Sequence, residues 1–315
     1  MTYTMNDQLA AQLAQLQPRL AQFPDYTPGD ALSWRARSNA LYALINDVLP
    51  VAPGVAKEEF HLPFSDQTLR ARWYQPQSIA SKGAVLFVHG GGGVAGSVDL
   101  YDKIVANYAQ QSGVPFLSLE YGLAPETAGH TQAEQAVAAL LWLQQHSARF
   151  DVDPARIVLM GDSGGGGIAA SAALLARDRA ITAAGLVLIY PMLDNRPGDQ
   201  NAALAPFLTV TPAELATVWR ARTPADVSDA LMPYVSPAHA QSLAGLPPVY
   251  IDVGELDLFC LESLKWAEKL AAGGVPAEFH LYPGVNHGFE LLAPQADIAR
   301  QAMRLRCEAL RRMTA

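Results

Sequence analysis

Short apolar runs alternate along this chain with longer stretches in which apolar residues recur at helical spacing. Eight strand-like runs begin near Glu59, Thr68, Gly83, Val114, Ile157, Gly185, Pro248 and Ala277. Several, such as Gly83-Ala84-Val85-Leu86-Phe87-Val88, are apolar throughout, the pattern of a strand buried on both faces. Helical patterns separate most of the later runs, which predicts an α/β fold with a mostly parallel sheet covered on both sides. The first two runs are joined by the turn Ser65-Asp66-Gln67 and are expected to form an antiparallel edge.

Two segments stand outside this alternation. Residues 1–50 read as two amphipathic helices, 6–20 and 31–48. Residues 196–240 form an insertion between the sixth and seventh strands. It contains Thr211-Pro212-Ala213-Glu214, a capping box with proline at the first helical position. No internal repeat or low-complexity segment is evident.

Composition narrows the class. The chain has 315 residues, enough for one large α/β domain with additions. Half of its residues are hydrophobic, yet its apolar runs are far too short to span a bilayer. A net charge of −8 argues against nucleic acid or anionic membranes as partners. The N-terminal residues lack the basic start and apolar core of a secretory signal. Cys260 and Cys307 are the two cysteines, with no zinc-type spacing, and read as reduced thiols of a cytoplasmic protein. No metal or organic cofactor is called for.

The strongest chemical signal is Gly161-Asp162-Ser163-Gly164-Gly165, which follows the apolar run 156–160 and opens a small-residue helical stretch. A serine flanked by glycines two residues away on each side suits a sharp strand-to-helix turn that lifts its hydroxyl clear of the sheet. The helix N-terminus behind it favours a developing anion. A second glycine-rich run, His89-Gly90-Gly91-Gly92-Gly93, follows a buried strand and lets backbone N–H groups approach a tetrahedral oxyanion. The span from Gly91 to Gly96 also satisfies the dinucleotide fingerprint, with Glu120 ending the next strand-like run. That reading is disfavoured. Ser97 and Asp99 look like N-caps that would start the helix later, and the serine turn would go unexplained.

A general base is expected at His287, in a loop just beyond the strand 277–281. His89 belongs to the glycine loop, while His61, His130 and His146 precede the serine. His239 lies in a proline-rich stretch and His280 inside a strand. The acid should lie between serine and histidine at another strand end. Asp257 is the choice, because Asp252 falls within the strand and Glu255 follows its turn glycine directly; Asp194 is the outside candidate. The order Ser163, Asp257, His287 is that of α/β-hydrolases.

Together His89-Gly90-Gly91-Gly92, Tyr121-Gly122-Leu123-Ala124-Pro125-Glu126, Gly161-Asp162-Ser163-Gly164-Gly165-Gly166 and His287-Gly288-Phe289 resemble the hormone-sensitive-lipase-like esterases, the bacterial family IV carboxylesterases. The resemblance implies an α/β-hydrolase fold with Ser163 as nucleophile, His287 as base and Asp257 as its orienting acid. The N–H groups of Gly91, Gly92 and Gly164 would form the oxyanion hole. His89 and Asp162, inside their motifs, and Glu262, five residues past Asp257, would support the triad from behind. Residues 1–50 and 196–240 would form a cap over core segments 51–195 and 241–315. Trp34, Phe207, Leu208, Val218 and Trp219 are candidates to line an acyl pocket, or else simply pack the helices onto the core.

The resemblance also implies short- to medium-chain acyl esters as substrates, and a homodimer built through the outer strand. Departures from the resembled motifs are Gly164 after the serine, Gly122 in place of arginine, residues 127–131 in place of a Phe-Pro-Ala stretch, and Leu258 after the acid. Amide or carbamate hydrolysis would use the same constellation, and a non-catalytic small-molecule receptor is a rival on the same fold.

Overall fold

The computed structural model describes residues 3–196, 198 and 202–315. Residues 1–2 of the N-terminal stretch, and 197 and 199–201 at the start of the expected insertion, lie outside the described residues.

All eight predicted strands form: β1 (Val55–Phe64), β2 (Gln67–Pro76), β3 (Ala84–Val88), β4 (Phe116–Leu119), β5 (Ile157–Asp162), β6 (Gly185–Ile189), β7 (Val249–Gly254) and β8 (Ala277–Tyr282). They make one sheet in the order β1-β2-β4-β3-β5-β6-β7-β8. β1 pairs antiparallel with β2, and β2 with β4, while every later pairing is parallel. β1 starts at Val55, earlier than the sequence suggests, because β2 supplies a ladder partner for each of its residues back to the Val55–Pro76 pair.

The continuous apolar runs have a simple cause. Leu86, Leu159, Leu188 and Ile251 point into the core layer on one face of the sheet, and Val85, Val158, Val187 and Tyr250 into the layer on the other. Alternating side chains therefore all find apolar surroundings. The α-helices among the described residues are α1 (Asp7–Leu20), α2 (Ala31–Val48), α3 (Asp102–Ser112), α4 (Thr131–Gln145), α5 (Ser163–Asp178), α6 (Pro212–Arg222), α7 (Cys260–Ala272), α8 (Phe289–Leu292) and α9 (Asp297–Thr314), and short 3-10 turns, Ala202–Phe207 among them, lie in the connections. α4 and α5 cover the first face; α3 and α9 cover the second.

Two local expectations fare differently. The capping box at α6 is present, with Thr211 and Glu214 each accepting the other's backbone N–H. Ser97 and Asp99, in contrast, do not cap α3, which begins at Asp102. Ser97 Oγ instead accepts from Leu100 N, and Asp99 is drawn outward by Arg70 and Arg72 of β2. Charge pairing across the sheet outcompetes a capping bond worth about 1 kcal/mol.

Candidate active site

The site is built where β5 meets α5. Ser163 sits in that turn with φ of +53°, a left-handed conformation that a non-glycine residue holds only when its surroundings enforce it. The enforcement is visible at Gly165, where an added Cβ would lie 2.2 Å from the Val88 carbonyl oxygen. Only glycines let α5 start this close to β3. The N-cap Asp162 makes no side-chain capping bond. The first N–H groups of α5, that of Gly164 among them, therefore have no intrahelical or capping partner.

His287 Nε2 lies 2.9 Å from Ser163 Oγ, and His287 Nδ1 lies 2.7 Å from Asp257 Oδ2. Asp257 is 1% exposed, and its other oxygen accepts the Phe259 N–H at 3.0 Å. A carboxylate can only accept, so Nδ1 carries the hydrogen and Nε2 presents its lone pair to the serine hydroxyl. Burial of the ring opposes its charged form, but the Asp257 charge and hydrogen bond outweigh this and raise the His287 pKa above its ordinary value. The rings of Tyr190 and Phe259 meet it edge-on, with centroids 4.5 and 5.0 Å away.

The other acids are engaged elsewhere. Asp194 is paired with Arg196 through two contacts of 2.7 Å. Asp252 is fully buried and takes a bidentate pair from Arg306 at 2.6 and 2.9 Å. Glu255 accepts the Gly284 N–H. Glu262 accepts the Leu193 N–H at 2.7 Å and so braces the segment beside Met192, without a hydrogen bond to the triad.

The glycine loop faces the serine from the end of β3. Gly91 and Gly92 have φ of +100° and +62°. Among the described residues no backbone hydrogen bond uses their N–H groups. Gly92 also packs directly on Gly164: a Cβ at 164 would lie 2.3 Å from Gly92 Cα. The glycine at 164 thus lets the two donor-bearing segments touch.

His89 lies behind the loop, fully buried, stacked on Tyr121 at 4.3 Å, with its Nδ1 2.8 Å from the Gly90 carbonyl oxygen. Burial depresses its pKa to about 4, which keeps the ring neutral. Asp162 accepts the Tyr101 hydroxyl at 2.8 Å, and burial lifts its pKa to about 7. The Gly91–Gly96 span is no dinucleotide loop. Gly91 O accepts the N–H groups of both Val94 and Ala95, closing a tight turn, and Glu120 is spent on the Val98 N–H.

A cavity of about 340 Å³ opens over Ser163 and His287. Trp34 of α2, Phe207, Leu208 and Val218 line it, as do Tyr190, Met192 and Asn286, which the sequence did not single out. Trp219 does not line it. It packs with Val94, Ala95 and Ala124 and lies under the Arg222 guanidinium, 4.9 Å away, because successive helix residues point about 100° apart. Both outlying segments are tied to the site. Asn39 of α2 accepts the Gly96 N–H, while Asn286 donates to Phe207 O and Thr209 to His287 O.

Comparison with known proteins agrees with this fold. Residues 85–291 match the family described as alpha/beta hydrolase fold. The chain is 32% identical to the ethyl acetate hydrolase of Pseudomonas putida over 77% of its own length and 78% of that protein's. It is also 32% identical to the esterase LipI of Mycobacterium tuberculosis, over 83% of each chain. Among solved structures, a bacterial heroin esterase superposes with a TM-score of 0.86 at 29% identity, covering 99% of this chain and 98% of that one. An esterase of the archaeon Pyrobaculum calidifontis gives 0.85 at 29% identity, covering 98% and 99%. The chain belongs to the alpha/beta hydrolase fold family, within its hormone-sensitive-lipase-like carboxylic ester hydrolases.

Proposed function

We propose that the protein hydrolyses short- to medium-chain acyl esters through a covalent acyl-serine intermediate. The observation that carries this is the unbroken chain from Asp257 through His287 to Ser163, at 2.7 and 2.9 Å, opening into an apolar cavity. Ser163 Oγ attacks the ester carbonyl while His287 Nε2 takes its proton. The carbonyl oxygen, now negative, is received by the N–H groups of Gly91, Gly92 and Gly164. His287 passes the proton to the departing alcohol, and a water deprotonated by the same nitrogen then attacks the acyl carbon and frees the acid. Asp257 keeps the imidazole in the one tautomer that works and stabilises it when charged.

Support for small acyl groups comes from the cavity's size and its lining by Trp34, Phe207, Leu208 and Val218. The same contacts support reading residues 1–50 and 196–240 as a cap over core segments 51–195 and 241–315. Two unpaired thiols, Cys260 and Cys307, fit a reducing cytoplasmic setting.

The test is a panel of p-nitrophenyl esters of graded chain length, with the matching anilides alongside. Short esters should give a burst of p-nitrophenol equal to the enzyme present. Ser163→Ala should fold normally and lose about 10⁴- to 10⁶-fold in kcat. More than a tenth of the activity surviving in that variant would reject the serine mechanism. Anilides turned over as fast as esters would favour the amidase reading.

A further inference from the structure

The loop from Gly90 to Gly96 is braced by two arginines that take no part in the proton transfers. Arg35 of α2 donates to the carbonyl oxygens of Val94 and Ala124 at 2.6 and 2.7 Å, and Glu126 balances its charge. Arg222, the last residue of α6, has no such balance. It is 1% exposed, and among the described residues its Nη1 has no hydrogen-bond partner and no carboxylate pairs with it. Burial lowers its pKa to about 10, which still leaves it cationic at neutral pH.

The cation lies over the Trp219 ring, 4.9 Å from its centroid, and its hydrogen-bond partner is uncharged. Arg222 Nε donates to Gln132 Oε1 at 3.2 Å, and the Gln132 amide nitrogen donates to Gly93 O at 2.7 Å and Gly122 O at 2.9 Å. A Cβ at Gly93 would lie 2.8 Å from Arg222 Nε, so the charge sits immediately behind the residue that follows Gly92. Gly122, where the resembled motif carries arginine, joins Arg222 through the same glutamine. A buried cation with no carboxylate partner among the described residues opposes folding, and a cation–π contact, worth about 2 kcal/mol when desolvated, offsets only part of that cost. Stacking on Trp219 holds the guanidinium in place, and its position beside a loop of backbone donors gives the charge a catalytic use.

We propose that Arg222 is a positioning residue for oxyanion stabilisation: through Gln132 it fixes Gly93, and its buried charge favours the anion that forms at the adjacent Gly91 and Gly92 N–H groups. The proposal rests on the ester-hydrolysis reading above. It makes a demand that a structural role does not. Removing the charge should slow the reaction without harming the fold, because the desolvation cost of the buried ion goes with it.

The experiment compares the full chain with Arg222→Met and Arg222→Lys. It reads kcat and KM on a short p-nitrophenyl ester, the melting temperature, and inhibition by an aliphatic trifluoromethyl ketone, whose adduct with serine carries the oxyanion. Arg222→Met should lower kcat roughly 10- to 30-fold with KM within about twofold, and weaken the ketone by a like factor. Its melting temperature should hold or rise, and Arg222→Lys should recover most of the rate. A kcat within about twofold of the parent in Arg222→Met overturns the proposal, as does its failure to fold or an equal loss in Arg222→Lys. An unaltered protein without ester hydrolysis overturns the esterase reading itself, which separates the two failures.

Discussion

Replacing Asp257 by asparagine isolates the role of the buried acid, because both of its oxygens already have fixed partners. Oδ1 accepts the Phe259 N–H at 3.0 Å and Oδ2 accepts the His287 ring hydrogen at 2.7 Å. Asparagine is nearly isosteric but has one acceptor and one donor group. If its oxygen stays on Phe259, its NH2 confronts Nδ1, which must then give up its hydrogen. The hydrogen moves to Nε2, and the nitrogen facing Ser163 can no longer accept a proton. If the oxygen turns to His287 instead, the buried Phe259 N–H meets the new NH2, at a cost of about 1–3 kcal/mol.

The folded protein therefore prefers the inactive tautomer by roughly that margin. The imidazolium formed in the transition state also loses its countercharge. Together these should reduce kcat/KM by about 10³- to 10⁴-fold, or about 4–5.5 kcal/mol of barrier. The assay is steady-state hydrolysis of a short p-nitrophenyl ester across pH, with thermal unfolding as a control for folding. A loss of less than about tenfold in a folded Asp257→Asn protein would refute the reasoning. So would a mild effect here beside a crippling one for Asp194→Asn.

The pH profile of the unaltered protein is a second test. A general base works only when neutral, and the His287 pKa is raised above its ordinary value of about 6.5 because Asp257 overcomes the effect of burial. Thus kcat/KM should fall on acidification through a midpoint above about 6.5, losing close to tenfold per pH unit below it; a profile flat to pH 5 contradicts His287 as base. For stability, Arg306→Met would strand the buried carboxylates of Asp252 and Glu290, which the guanidinium now holds at 2.6 and 2.7 Å. Loss of a buried partner should cost about 3–5 kcal/mol, read from the denaturant midpoint, and an unchanged midpoint would show that these charges do not need pairing.

The parts of the site legible in the sequence are those in which local backbone geometry and chemistry coincide. Ser163 announces itself because its turn needs glycines at 161 and 165 whatever the rest of the molecule does. Asp257 and His287 are legible as candidates from chain order and strand ends, since a parallel sheet delivers the loops after β5, β7 and β8 to one edge. The sequence does not reveal the rotational phase of α6, so it leaves open which of adjacent Val218 and Trp219 lines the cavity and which packs on the core. Asp99 reads as a cap because the competing arginines, Arg72 and Arg70, come from a strand 27 and 29 residues away, while Ser97 turns to the Leu100 N–H instead. Tyr190, Met192 and Asn286 carried no pattern that marks a pocket wall.

By itself the sequence determined the run of strands and helices, the strained serine turn and the glycine loop, because each is enforced by residues within a few positions. Only the tertiary structure decided that the hydroxyl, imidazole and carboxylate lie within hydrogen-bond reach, that Gly92 rests on Gly164, and that Arg222 is buried with no countercharge among the described residues. These depend on how segments tens of residues apart pack. Pairwise distances and burial belong to the assembled fold and are not properties of any short stretch of chain.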